Sequence, residues 1–184
     1  MSDRIIFLDY DGVVNNYLWG KYYSEYCDEP YFHCAYAFPK DNFVNNKQAL
    51  YWLNALYECY PYDIVVTSTW REYPNYKECL YNGGLNSKIK IIDKIDSGND
   101  REGLILKWVK DNNFNGTYVV LDDEAYLYFK KIDKDKIIIT DDRIGINHEI
   151  IGEIIGSFKK QEMAEDEYLC YLDDLAYKYD SFIF

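Results

Sequence analysis

Two aspartates separated by one residue, Asp9-Tyr10-Asp11, follow the apolar run Ile5-Ile6-Phe7-Leu8 and precede Gly12-Val13. An apolar run of this length reads as a buried strand, and residues two apart on a strand point the same way. Asp9 and Asp11 are therefore expected to face a common point beyond the strand end, with Tyr10 turned aside. Gly12 lets the backbone bend sharply there without a Cβ clash. Two close carboxylates repel unless a cation or a shared proton holds them, and a hard divalent ion such as Mg²⁺ meets that need.

Two more apolar runs end in residues of the same chemical kind. Ile64-Val65-Val66 stops at Thr67-Ser68, and Thr117 to Leu121 stops at Asp122-Asp123. A fourth run, Lys136 to Thr140, ends at Asp141-Asp142, and Lys88 to Ile92 is a weaker strand. Between them lie amphipathic stretches. Asp41 or Asn42 can cap a helix running to about Tyr60. A short helix is expected from Asn75 to Asn82. Asn99 or Asp100 can cap one through Asp111, with Leu104, Ile105, Trp108 and Val109 inward. Another is expected from Asn147 to Phe158. Apolar strands alternating with such helices predict an α/β fold, a parallel central sheet covered on both faces, and ligands bind beyond the carboxyl ends of such sheets.

The residues at those ends make a set for phosphoryl transfer. A carboxylate can act as nucleophile and form an aspartyl-phosphate. A second can protonate the leaving oxygen and later activate water. A hydroxyl and a cation can hold the phosphoryl oxygens, and further acids complete a Mg²⁺ site that shields nucleophile from phosphate.

In these motifs the chain resembles the haloacid dehalogenase (HAD) superfamily of phosphohydrolases over about residues 4 to 160. Asp9-Tyr10-Asp11-Gly12-Val13 matches its first motif, Ile64-Val65-Val66-Thr67 its second and Val119-Val120-Leu121-Asp122-Asp123 its fourth. Thr67-Ser68-Thr69-Trp70-Arg71, with Asp100-Arg101-Glu102 opening a helix that contains Trp108, resembles a small branch similar to the phosphatase module of Swiss Army Knife RNA-repair proteins. The resemblance implies a Rossmann-like three-layer sandwich and a Mg²⁺-dependent phosphatase. It implies that Asp9 is nucleophile and metal ligand, and that Asp11 is general acid/base with its backbone carbonyl on the metal. Thr67 would bind the phosphoryl group, with Ser68 as second donor, and Asp122 and Asp123 would complete the metal shell. The family expects a basic residue where Arg101 stands, although Lys88 and Lys94 compete for that role. Asp141-Asp142 follows the wrong strand for the metal pair and reads as a turn. Arg71 can either reach a substrate phosphate or anchor the loop after Thr67. His33 and His148 lack partners at metal spacing.

The whole chain of 184 residues, 48% hydrophobic, suits a single domain, residues 1–184. No apolar stretch reaches membrane-spanning length, and the N-terminus lacks a secretory pattern. The five cysteines contain no C-x-x-C pair, which argues against a zinc site or a disulfide framework and for reduced thiols in the cytoplasm. A net charge of −12 excludes a broad nucleic-acid-binding face. There is no room for a full cap domain. The aromatic segment of about residues 15–40 reads as a small lid after the first strand, able to stack on a nucleobase or to pack on the body. The expected partner is a phosphorylated substrate, with a nucleotide or a nucleic-acid end as the narrower expectation. An acidic helix over about residues 161–179 is expected either to dock on the body or to serve a homodimer contact.

Overall fold

The computed structural model describes residues 1–16, 46–164, 167, 168 and 171. The expected lid lies outside these residues from position 17 on, as does most of the expected C-terminal helix.

Five strands form one parallel sheet: β1 (Arg4–Leu8), β2 (Asp63–Val66), β3 (Lys90–Lys94), β4 (Thr117–Asp122) and β5 (Ile137–Ile139). Their order is β3-β2-β1-β4-β5. The chain steps outward from β1 to β3, then crosses back to the other side of β1. This reversal opens a crevice between β1 and β4, the place where such sheets bind ligands.

The helices are α1 (Lys47–Cys59), α2 (Tyr76–Gly83), α3 (Arg101–Asp111), the single turn α4 (Ala125–Tyr128) and α5 (His148–Glu162). Alternate residues of β1 enter two separate cores. Ile6 and Leu8 pack with Leu50 and Leu53 of α1 and with Ile154 and Phe158 of α5. Ile5 and Phe7 pack with Ile105 and Trp108 of α3. Phe7 meets the Trp108 ring edge-on at 5.5 Å. The central strands β1, β2 and β4 are thus buried on both faces, which is why they read as continuous apolar runs. The result is a Rossmann-like three-layer sandwich.

Helix ends differ from the sequence reading in two places. Asn46 caps α1, accepting from the Gln48 backbone N–H at 2.9 Å, whereas Asp41 and Asn42 lie outside the described residues. Gln161 and Glu162, read as the start of a separate helix, form the last turn of α5. The backbone turns extended at Met163 and ends it there. Asp100 caps α3 as expected, accepting from Gly103 N–H. Among the described residues no helix is long and apolar enough to cross a membrane.

Candidate functional site

The sheet register sets Leu8 beside Val66 on one side and Leu121 on the other. The next residue of each strand, Asp9, Thr67 and Asp122, therefore stands at one level. Asp9 N–H donates to Leu121 C=O at 3.0 Å and Thr67 N–H to Leu8 C=O at 2.9 Å, so the ladder continues to that level. Strand alternation carries all three side chains to the face covered by α3. Asp9 shares the parity of Phe7, Thr67 that of Val65, and Asp122 that of Val120, and these apolar residues belong to the α3 core. Arg101 opens α3 on that face.

The carboxylates of Asp9, Asp122 and Asp123 each place an oxygen within 4.8 Å of the others. Asp123 reaches the group because Gly12 makes room for it. Gly12 has φ of +72°, and a Cβ there would lie 2.3 Å from the Asp123 carboxyl. Arg101 Nη1 donates to Asp9 Oδ2 at 2.5 Å and also to Asp122 Oδ2. The other Asp122 oxygen accepts from Glu124 N–H at 2.8 Å.

Three carboxylates and one guanidinium leave two negative charges without a counterion in the cluster, and the titration behaviour reflects this. Burial pushes Asp9 up to about 6, while Arg101 pulls it down, Asp122 pushes it up, and hydrogen bonds from the Tyr10 backbone and Ser68 favour its anion. Burial and the Asp9 charge push Asp123 up to about 7. Burial works against the Arg101 charge, but Asp9 and Asp122 outweigh it and hold the guanidinium more firmly protonated than a free one. An excess of two negative charges on hard oxygen donors is the composition a single Mg²⁺ or similar divalent ion would neutralise.

Asp11 does not join the cluster. Its Oδ1 accepts from Asn15 Nδ2 at 2.8 Å and its Oδ2 from Trp70 Nε1 at 2.9 Å. The strand ends at Leu8 and the chain turns at Gly12, so the two-residue alternation stops counting before Asp11. Tyr10 is turned aside as expected. It is fully buried, with its hydroxyl donating to Tyr76 C=O at 2.7 Å. The turn is clamped by the segment after β5: Thr140 Oγ1 donates to Gly12 C=O at 2.9 Å and Ile146 N–H to Val13 C=O at 3.0 Å.

Thr67 is fully buried, and its hydroxyl has no hydrogen-bond partner among the described residues. Buried hydroxyls are nearly always paired, so the lack of a partner among the described residues makes Thr67 Oγ1 a candidate for binding a ligand atom. Ser68 caps the 3-10 turn Thr69–Glu72, accepting from Trp70 N–H. Arg71, 4% exposed, anchors this loop: it donates to Thr67 C=O at 2.8 Å and to Asp96 C=O at 3.3 Å. Lys94 reaches Arg71 C=O at 2.7 Å, and exposed Lys88 donates its backbone N–H to Asn86 Oδ1 at 3.0 Å. Arg101 is thus the basic residue on the carboxylates. Asp141 and Asp142 are exposed, and Asp141 closes a turn through Arg143 N–H. His148 packs near the Trp52 ring, and His33 lies outside the described residues.

Three residues with roles here had none assigned from sequence: Asn15 was not singled out, and Trp70 and Glu102 stood only within the stretches that carry the branch resemblance. Trp70 and Asn15 hold Asp11. Glu102, only 4% exposed, accepts three backbone N–H groups, from Lys130, Lys131 and Ile132, at 2.5 to 2.9 Å. It ties the loop beyond Asp122-Asp123 to the start of α3, next to Arg101. Burial opposes its charge, but those three donors prevail and hold its carboxyl below the usual range.

The family model described as the HAD domain in Swiss Army Knife RNA repair proteins matches residues 5–151. No curated protein and no solved structure matches the chain significantly. The matched span runs from β1 into α5 and includes every strand and every carboxylate of the cluster. With that span, this sheet order and this acidic site, the chain belongs to the HAD superfamily, in the family of HAD domains of Swiss Army Knife RNA repair proteins, whose chemistry is that of phosphohydrolases.

Proposed function

We propose that the chain is a Mg²⁺-dependent phosphatase that works through an aspartyl-phosphate on Asp9. The observation that carries this reading is the pairing of a buried carboxylate with a buried hydroxyl that has no partner among the described residues, at adjacent strand ends. Asp9 sits beside Arg101, and Thr67 belongs to the same side of the sheet.

Asp9 attacks phosphorus, and the bond to the leaving oxygen breaks as the new P–O bond forms. Asp11 gives its proton to that oxygen, then takes one from the water that releases phosphate from Asp9. Thr67, with Ser68 beside it, donates to the phosphoryl oxygens, and Arg101 offsets the negative charge that gathers around Asp9 and Asp122. Asp9, Asp122 and Asp123, with the Asp11 backbone carbonyl, would hold Mg²⁺. Bound there, the ion supplies charge neutralisation between nucleophile and phosphate. The nucleophile must be an anion, so without a cation Asp9 is competent above about pH 6.

The substrate is a phosphomonoester, and the family's occurrence in RNA repair proteins supports a nucleotide or nucleic-acid end. A net charge of −12 favours recognition of an end over a long tract. Free Cys59 and Cys79 are consistent with a cytoplasmic setting for this activity. The test is hydrolysis of an aryl phosphate with and without Mg²⁺, then of mononucleotides, sugar phosphates and 3′- and 5′-phosphorylated oligonucleotides, with Asp9→Asn as control. Mg²⁺-dependent turnover lost in Asp9→Asn is expected. Absence of such turnover across the panel would overturn the reading.

A further inference from the structure

We infer that Trp70 and Asn15 are positioning residues that hold the general acid/base Asp11 in one orientation through both halves of the reaction. The inference rests on the phosphatase reading above. It gives a role to Trp70, which stood in the Thr67-Ser68-Thr69-Trp70-Arg71 stretch without one, and to Asn15, to which neither the motifs nor the carboxylate cluster points.

Both oxygens of Asp11 are held, and both donors are neutral. Trp70 Nε1 takes Oδ2 at 2.9 Å and Asn15 Nδ2 takes Oδ1 at 2.8 Å. An indole N–H and an amide N–H neither accept a proton from a carboxyl group nor cancel its charge, as a Lys or Arg would. Each carboxylate oxygen has more than one lone pair, so Asp11 can carry or lose a proton while both hydrogen bonds persist. The acid of the first step and the base of the second thus share one geometry.

Both donors stand on firm supports. Trp70 is 7% exposed and packs near the rings of Tyr10 at 6.5 Å and Tyr73 at 6.0 Å. Asn15 is buried, its N–H on Tyr10 C=O at 2.8 Å and its C=O on Gly12 N–H at 2.7 Å. One donor comes from the turn that carries Asp11 and the other from the loop after Thr67. Together they keep the Asp11 carboxylate out of the Asp9-Asp122-Asp123 cluster, where a cation would claim it.

The step that depends on this is proton delivery. As the bond from Asp9 to phosphorus forms and the bond to the leaving oxygen breaks, the Asp11 proton moves to that oxygen. An alkoxide needs the proton in order to leave, whereas 4-nitrophenolate leaves without it. The experiment compares kcat/KM, which reports the steps up to the aspartyl-phosphate, for ethyl phosphate and 4-nitrophenyl phosphate. The proteins are wild type, Trp70→Phe and Asn15→Ala, each alone and with Asp11→Asn. Trp70→Phe keeps a ring in the core and removes the donor, and thermal melts establish that each variant folds. If Trp70→Phe does not fold, Asn15→Ala carries the test.

The expected result is a loss at least about tenfold larger on ethyl phosphate than on 4-nitrophenyl phosphate, within the 10²–10⁴ that general acid catalysis supplies. That selectivity should vanish when Asp11 is already Asn. Equal losses on both substrates, or no loss, overturn the inference and leave the phosphatase reading intact. A wild-type chain inactive on both substrates and on the nucleotide, sugar-phosphate and oligonucleotide panel removes the phosphatase reading, and this inference with it.

Discussion

Replacing Asp123 by Asn should stabilise the metal-free protein, and the gain should depend on pH. Asp123 sits in the cluster with its ordinary titration point pushed up to about 7 by burial and by Asp9. In the unfolded chain the same group titrates near ~4. Between those values the folded protein keeps a proton that the unfolded chain has lost. Stability therefore falls as pH rises from about 4 to about 7, and the penalty is complete above about 7. A difference of about three units corresponds to at most roughly 4 kcal/mol. Asp123 is partly exposed and titrates together with Asp9, so roughly 2 kcal/mol is the working figure. For a chain of this size that is a shift of roughly 4 to 8 °C in melting temperature.

The assay is a set of thermal melts of both chains in chelator from pH 4 to 8. Asn keeps the shape and has no charge, so the variant should melt higher at pH 8, and the gap should close steadily toward pH 4. Carboxylates away from the cluster shift both chains alike and cancel in the difference, whereas Asp9, coupled to Asp123, contributes to it. Those with lowered titration points, such as Glu102 and Glu162, stabilise above the usual carboxylate range and lose that effect only on acidification. Mg²⁺ added at pH 8 should raise the melting point of wild type more than that of the variant. A variant that melts below wild type at pH 8, or a gap independent of pH, would refute the account of the cluster as an uncompensated cation site.

The other expectations concern Thr67 and Arg101. Thr67→Val removes a buried hydroxyl with no partner among the described residues, so it should leave stability unchanged or raise it by about 1 kcal/mol in a urea melt, while turnover falls at least about tenfold. A stability loss above roughly 2 kcal/mol would show that the hydroxyl serves the fold instead. Arg101→Ala leaves Asp9 and Asp122 without their cation and should cost about 3 kcal/mol at pH 8 without Mg²⁺. Steady-state assays should show it also lowering turnover by about 10²- to 10³-fold, with Arg101→Lys intermediate in both measurements.

Much of this site was legible because its residues follow apolar runs. The central strands β1, β2 and β4 are buried on both faces, so each is an unbroken stretch whose end is visible, and Asp9, Thr67 and Asp122-Asp123 stand at those three ends. The choice among Arg101, Lys94 and Lys88 was not legible, since all three are near in sequence. It depends on which face of the sheet α3 covers, and only packing settles that. Lys94 ends β3 and leans to the Arg71 backbone, whereas Arg101 opens α3 directly over Asp9. The Asp11 side chain was expected beside Asp9 by strand alternation, which ceases to apply once the strand ends at Leu8 and Gly12 turns left-handed. Asn15 gave no local signal, and Trp70 stood in the branch resemblance without a role. One indole among 34 aromatic residues (21 Tyr, 9 Phe, 4 Trp) is not marked as a hydrogen-bond donor by its neighbours in sequence.

The polar site is a direct extension of the apolar core beneath α3. Ile5, Phe7 and Asp9 share one side of β1, Val65 and Thr67 one side of β2, and Tyr118, Val120 and Asp122 one side of β4. The apolar members pack on Ile105 and Trp108 of α3, and that packing sets how far along the sheet Arg101 stands. Two different sensitivities follow. Volume-conserving changes among these apolar residues move α3 little and should spare the site. A one-residue insertion or deletion within β1, β2 or β4 turns that strand's terminal polar group to the α1–α5 face, away from Arg101. Register, more than the composition of the core, is therefore what holds the carboxylates and the guanidinium together.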